Sequence, residues 1–526
     1  MNRNRYRLVF NTSSGMLIPV AETARRQGKA GGKAACGALV ALTGALLGGA
    51  VQADMPVPSA GGAIPNFVTA GQASYQVNGA QAYVNQVGNK SILNWQSFNL
   101  SPGSNVQFRQ VDSLATNNLV QGANFTSLNR IWDNNPSVIA GAISQAAGQK
   151  ANVILVNSNG IAFMGGSQVN LNSFTASTLN MQDGFLDNFL PNWTAPQFEN
   201  ALDGSAARGF VKVLEGARIT AGSQGRVMLI APTVVNRGTV EAPDGQVIAA
   251  AASKVYLRSA STEDTNVRGL LIEVDSPAGL ADHDTANPDV RDGQLDGQTI
   301  SLANAAEDKL GTVSNFGALS TPRGNVTMVG YAVNQQGIAR ATTSVVSNGS
   351  VYLLAKDTKS TVVLDPDDKP ASARAGRVVL GENSLTEILP DTADATTALD
   401  GTTGEGLASA SQVKVLGQDI RMAGGAAIDA PSGEVNFVAV DTPNDLRVLS
   451  EAGQAASNTA RIHIADGARI NVAGLDDTLF SDTLFGHKKG AFTGADQARP
   501  GLIAQVAGGT LFLDEIGDLS MASQVK

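Results

Sequence analysis

Cysteine is almost missing from this 526-residue chain, with Cys36 standing alone. It opens an apolar run instead of closing one, which argues against a lipid-anchoring role. A chain trimmed of its first residues would hold no disulfide, no thiolate nucleophile and no cysteine-based metal site. Histidine is nearly as scarce, and His283, His463 and His487 make no ligand spacing, so no metal site is expected. Aromatic residues make up 5% and charged residues 16% of the chain, which suits neither a catalytic cleft nor a helical bundle. No Gly-x-x-x-x-Gly-Lys-Ser/Thr loop occurs, since Gly28-Lys29 and Gly32-Lys33 are both followed by alanine. Without that loop, nucleotide phosphates have no backbone cradle. There is no Arg-Gly-Asp phrase either.

What is abundant is small or β-branched. Glycine alone contributes 57 residues, alongside much Ala, Val, Asn, Thr and Ser. This composition suits tightly wound strands joined by turns. The net charge of −9 is uneven. Residues 1–53 carry Arg3, Arg5, Arg7, Arg25, Arg26, Lys29 and Lys33 against Glu22, so the remainder is strongly acidic. An acidic body lacks the basic face that phosphate backbones require, so no nucleic-acid partner is expected.

The basic segment reads as an address. Ala34 to Gly49 is small and apolar but short for a membrane span. Val51-Gln-Ala53 follows with small residues where a signal peptidase reads, so cleavage is expected between Ala53 and Asp54. The leader is long, and its Asn4-Arg-Tyr-Arg7 opening and Val20-Ala-Glu-Thr-Ala24 phrase resemble the extended signal peptide of autotransported and two-partner-secreted proteins of Gram-negative bacteria. That resemblance implies export to the periplasm and then across the outer membrane.

Between Lys90 and Thr178, short apolar runs alternate with Asn, Gly, Ser and Pro turns, the mark of many short strands. Asn94-Trp-Gln-Ser-Phe-Asn-Leu100, Leu128-Asn-Arg-Ile131, Pro136-Ser-Val-Ile-Ala-Gly141 and Asn157-Ser-Asn-Gly-Ile161 resemble the two-partner secretion (TPS), or haemagglutination activity, domain of filamentous haemagglutinin-type exoproteins. In that family the last phrase usually carries proline where this chain has Ser158. The secretion motif implied by the resemblance is Asn157, Ser158, Asn159, Gly160 and Ile161. Asn159 and Gly160 are expected to supply positive-φ turn residues. The implied partner is an outer-membrane β-barrel transporter, with strand addition to an exposed edge as the contact. A host or surface receptor is not named by the sequence.

Downstream, Gly-x-Val-x-apolar recurs at Gly225, Gly245, Gly324, Gly349, Gly376 and Gly433. Proline stands two places earlier at Pro243, Pro322 and Pro431. Asn236 and Asn315 each stand nine residues before one of these glycines. Pro-x-Gly makes a turn, and Val-x-apolar points two side chains to one face. The spacing of Gly225 and Gly245 fits one coil of a solenoid. The expected fold is all-β: a right-handed parallel β-helix with an N-terminal cap, against a jelly roll or propeller as the rival. Asn and Thr ladders are expected to satisfy polar groups in the turns. Acidic stretches at 261–296, 357–375 and 382–410 are expected to be loops extruded from the stack.

The ending differs in kind. Leu484 to Ala495 and Gly508 to Leu519 resemble the AAA+ domain of sigma-54-dependent transcriptional activators. The resemblance would make Gly490, Ala491, Phe492, Thr493, Gly494 and Ala495 a loop touching the sigma factor. Asp514 and Glu515 would be a Walker B pair serving Mg²⁺ and the attacking water of ATP hydrolysis. Lacking the phosphate loop, this remnant is expected to be inert, with no enzyme activity and no cofactor. ATP, Mg²⁺ and a sigma factor enter only under the alternative reading as a transcription regulator. The expected organisation is a leader over 1–53, a TPS domain over 54–200, β-helical repeats over 201–474 and an activator fragment over 475–526. That fragment is expected to be short and disordered or partly α/β, in a truncated or chimeric exoprotein of adhesin type.

Overall fold

The computed structural model describes residues 54–472 with interruptions, the longest at 188–194, 260–268, 358–362, 365–369, 392–410 and 444–458, together with four short strands outside that span. The chain divides into two compact units, 1–50 and 51–526. In the first, Tyr6–Asn11 pairs antiparallel with Met16–Ala21. Everything that follows concerns the second.

Its strands wind as a parallel β-helix of three faces. Ser137–Ile139 lies on the first face, Ala142–Gln145 on the second and Lys150–Asn157 on the third. The chain then starts the next coil with Ile161–Phe163 beside Ser137–Ile139. Parallel pairing carries the first face from Ser137–Ile139 through Phe210–Val213 and Thr312–Asn315 to Arg461–Ile464. The other two faces stack in the same way as far as Arg469–Asn471 and Glu434–Ala439. One hydrophobic core runs along the axis from Ala82 to Ala430. It passes through the expected boundary at 200/201 without a break, so the coils on both sides belong to one stack.

The recurring valine explains the register. Val227, Val247, Val326, Val351, Val413 and Val435 are successive neighbours on the third face. The first five are wholly buried. Because side chains alternate along a strand, each coil presents this residue inward only in this register. Val413 belongs to the column although Ser411 stands where the phrase has glycine two residues earlier. Conversely, the Gly376 phrase forms Arg377–Leu380, which lies on the first face and not the third.

The glycine of the phrase does not supply the turn conformation. The residue before it does: Gln224, Asp244 and Arg323 have φ of 63°, 53° and 54°. The glycine is needed for space. A Cβ on Gly245 would stand 1.8 Å from the Gly225 carbonyl oxygen, and one on Gly324 would stand 2.2 Å from that of Gly245.

The turns carry the expected amide ladder. Asn236 Nδ2 donates to Asn315 Oδ1 at 2.8 Å, and Asn315 Nδ2 donates to Gln335 Oε1 at 2.8 Å. All three side chains are buried, so each amide satisfies the next coil's.

Extruded segments leave the stack between coils. Lys254–Ser259 and Leu270–Asp275 pair antiparallel, joined by Phe198–Glu199 and Asn180–Met181. This small sheet covers the outer side of the third face, where Ile154, Met228, Ile230 and Ile248 are buried beneath it. A second arm, 282–311, lies on the first face. The stretch 382–410 is not wholly extruded: Leu385–Pro390 is a rung of the second face.

Candidate functional site

The first rung is one long strand, Gln81–Ser97, bent at Gly88 with φ 79°. Its first half pairs with Asn105–Val111 and its second with Asn124–Ile131, so it heads two faces at once. Its other edge is covered antiparallel by Val57–Pro58 and by Val68–Asn78. This covering carries the free edge of the sheet from the first rung out to Val68–Asn78. Val68–Asn78 is then the outermost strand. Gln72, Gln76 and Val77 on it are exposed, and no further strand pairs with it among the described residues.

Trp95 locks the cap. Its ring is wholly buried, with Phe67, Tyr75 and Phe98 packed edge-on at 5.0, 5.0 and 5.2 Å. Its indole N–H donates to Asn129 Oδ1 at 3.0 Å, and Trp132 donates likewise to Asn94 Oδ1 at 3.0 Å. The Tyr75 hydroxyl is pushed far above its ordinary range by burial. Phe67 and Tyr75 were not singled out from sequence; nothing in their spacing marks them as partners of a tryptophan twenty or more residues away.

The phrase Asn157 to Ile161 forms the corner between the third face and the first. Asn157 is wholly buried and its amide donates to Asn135 O at 3.1 Å and Ser137 Oγ at 2.9 Å. Its Oδ1 accepts the Asn159 N–H at 2.9 Å, which closes the turn, and Asn159 Nδ2 ties it to Asp133 O at 2.7 Å. Gly160 has φ 129°, and a Cβ there would meet the Phe210 ring at 2.7 Å. Asn159, expected to share the positive φ, is not among the positive-φ residues, so glycine alone carries it. Ser158 has its own use: its hydroxyl oxygen accepts the Leu202 N–H at 2.8 Å, binding the corner to the extruded segment before Phe210. Ile161 is wholly buried.

Asp54 is described and half-buried; Ala53 lies outside the described residues, as do Gly490 to Ala495, Asp514 and Glu515. Within the activator-like region only the pair Gly486–His487 and Arg499–Pro500 is described. Among the described residues no group of His, Cys, Asp or Glu could hold a metal ion.

A polar notch opens on the flank, about 220 Å³ and lined by His283, Arg377, Gln418, Asp419, Thr459 and Arg461. Asp419 accepts from Arg461 at 3.0 Å and Arg421 at 2.7 Å, and these bonds hold its carboxyl well below the usual range. His283 stacks on Tyr331 at 4.4 Å, and burial, with Arg377 nearby, pushes its pKa down. His463 is exposed, as expected of a surface residue.

Comparison with known proteins accounts for both ends of the chain. The TPS secretion domain family model matches residues 59–281, and the extended signal peptide of type V secretion systems matches residues 1–50. The sigma-54 interaction domain matches residues 452–526. Among curated proteins, the transcriptional regulatory protein ZraR of Klebsiella oxytoca is 44% identical over 101 residues, covering 18% of this chain and 23% of that protein. The chain thus spans under a quarter of the length of that curated relative. Among solved structures, the HMW1 secretion domain from Haemophilus influenzae aligns at a TM-score of 0.49 and 19% identity, over 80% of this chain and 84% of that one. The filamentous hemagglutinin secretion domain aligns at 0.26 and 14%, over 80% and 100%.

Proposed function

We propose, for a chain that belongs with the two-partner-secreted exoproteins of Gram-negative bacteria through its TPS secretion domain and extended signal peptide, that its outermost cap strand is what the outer-membrane transporter grips. The observation carrying this reading is the open edge of Val68–Asn78. A periplasmic module could add a strand there, gaining main-chain hydrogen bonds without disturbing the core beneath. The Asn157–Ile161 corner acts indirectly, by closing the coils on which that strand rests. Once outside, each coil would bury its apolar face on the one before, which favours onward movement.

The test is secretion with and without a co-expressed TPS transporter, with a photo-crosslinking residue at Gln76 or, as a control, at exposed Asn200. Crosslinks to the transporter from Gln76 and not from Asn200 are expected. Equal secretion without the transporter, or crosslinks from Asn200 alone, would overturn the reading. Adhesion at the cell surface is proposed as the purpose of the shaft, with the receptor left open.

The match over 452–526 favours a second reading, ATP-dependent regulation of transcription. We propose that this region hydrolyses no nucleotide, because no phosphate loop occurs in the sequence. Phosphate release from ATP by the full chain above the protein-free rate would reverse that view.

A further inference from the structure

The backbone nitrogen of Asp54 sits in a polar notch built by two distant segments. It lies 2.7 Å from Ser101 Oγ and 3.2 Å from Asp296 Oδ1. The Ser101 hydroxyl donates to that same Asp296 oxygen. In return, the Asp296 N–H donates to Asp54 Oδ2 at 2.5 Å, and the Ser101 N–H donates to the Asp54 carbonyl at 3.2 Å. Ser101 is buried, and Asp54 and Asp296 are half-buried.

An amide nitrogen brings one hydrogen and no charge. Here it faces two acceptors, one of them a carboxylate. An α-ammonium brings three hydrogens and a positive charge, and would satisfy both acceptors at once. We propose that removal of the leader between Ala53 and Asp54 creates this ammonium, and that its ion pair with Asp296 fastens the arm 282–311 to the cap. The step is peptide hydrolysis: water adds across the bond, leaving a carboxylate on Ala53 and the ammonium on Asp54. The proposal rests on the export reading only in taking the leader to be removed.

The placement of Asp296 supports this role. It stands at the turn of the hairpin Gly293–Leu295 and Gln298–Ile300, with φ 51°. The arm's base is already held: Lys212 on the first face pairs with Asp308 at 2.6 Å, both almost fully buried. Its middle packs apolar residues, with Leu295 and Leu302 against Val138 and Phe210. The notch at Asp54 anchors the hairpin tip itself. Leader removal thereby strengthens a contact at the tip that the uncleaved chain already makes through the Asp54 amide.

The experiment uses the secreted chain, its Asp296→Asn variant, and a chain retaining extra residues before Asp54. Intact mass should give Asp54 as the first residue. Near neutral pH its α-amine should react with an acylating reagent about ten-fold more slowly than in Asp296→Asn, because the neighbouring carboxylate holds it in the protonated form. Hydrogen exchange at 293–300 should quicken in both altered chains. A different first residue, equal amine rates, or unchanged exchange would each overturn the proposal. A wrong export reading shows itself otherwise: the chain stays in the periplasm, while its mass still begins at Asp54.

Discussion

Replacing Gly245 by alanine tests the packing logic of the stack most directly. The backbone at Gly245 is not in the left-handed region, so conformational strain is not the issue. Space is. The new Cβ would stand 1.8 Å from the Gly225 carbonyl oxygen. That oxygen is also the acceptor for the Gln246 N–H at 3.2 Å, so the methyl enters the path of an inter-coil bond. Ordinary contact between carbon and oxygen requires over an ångström more, a large share of the spacing of about 4.8 Å between strands. Forcing the coils apart costs about 1–3 kcal/mol for overpacking, and the weakened hydrogen bond about 1 kcal/mol more. Loss of about 2–4 kcal/mol is therefore expected, read as a shift in urea midpoint with circular dichroism as probe. Gly222→Ala is the control, because its Cβ would find its nearest neighbour at 3.4 Å and its φ is ordinary. If Gly245→Ala unfolds within about 0.5 kcal/mol of both the parent and Gly222→Ala, the close approach of coils does not explain the repeated glycine.

The amide ladder should also be sensitive: Asn315→Ala leaves Gln335 Oε1 without this donor and Asn236 Nδ2 with only its 3.4 Å bond to Ala318 O, at about 1–3 kcal/mol by urea unfolding. Lys212→Met leaves Asp308 buried and unpaired, and should cost about 3–5 kcal/mol, whereas Lys212→Met with Asp308→Leu should recover most of it. Acid should expose Asp419. Its folded pKa is depressed by hydrogen bonds from Arg461 and then Arg421, so its contribution is complete above the ordinary carboxylate value of about 3.9 and is lost as pH falls below it. The stability of Asp419→Asn should therefore fall less steeply between about pH 4 and pH 2 than the parent's, and parallel curves would show that these arginines do not hold the coil together.

The inward face of the coils was legible in the sequence because it follows from period alone. A valine two residues past a glycine lands on the axis whenever the corner precedes it, and Val227, Val247, Val326 and Val351 obey. The phrase does not encode which face it forms: five of its copies lie on the third face, while the valines after Gly376 stack on the first. The covering sheet was also missed, although its signal is visible in retrospect. Arg226–Ala231 and Gln246–Ala251 are apolar at nearly every position after the first, where a strand with one wet face would alternate. Such runs need a cover on both sides. The candidate site was legible only in part: Asn157 and Gly160 follow from turn chemistry. Tyr75 beside Trp95, and Asp296 beside Asp54, join residues whose meeting depends on the completed fold.

Insertions explain why the repeat looks irregular while the stack is not. Asn236 and Asn315 are 79 residues apart, and Asn315 and Gln335 only 20, yet both pairs are adjacent rungs joined by an equal 2.8 Å bond. The glycines agree, since a Cβ added to Gly317 would stand 2.2 Å from the Gly238 oxygen and one added to Gly337 the same 2.2 Å from the Gly317 oxygen. A long excursion therefore leaves and re-enters without altering the geometry of the next coil. Loop closure grows only logarithmically with length, so the stack tolerates such arms at small entropic cost. What every coil of the column keeps is its inward valine, while glycine stands where neighbouring coils come closest and serine replaces it at Ser411. Chain length between corners is free, and that freedom lets one face carry a covering sheet and another carry an arm while the axis stays continuous.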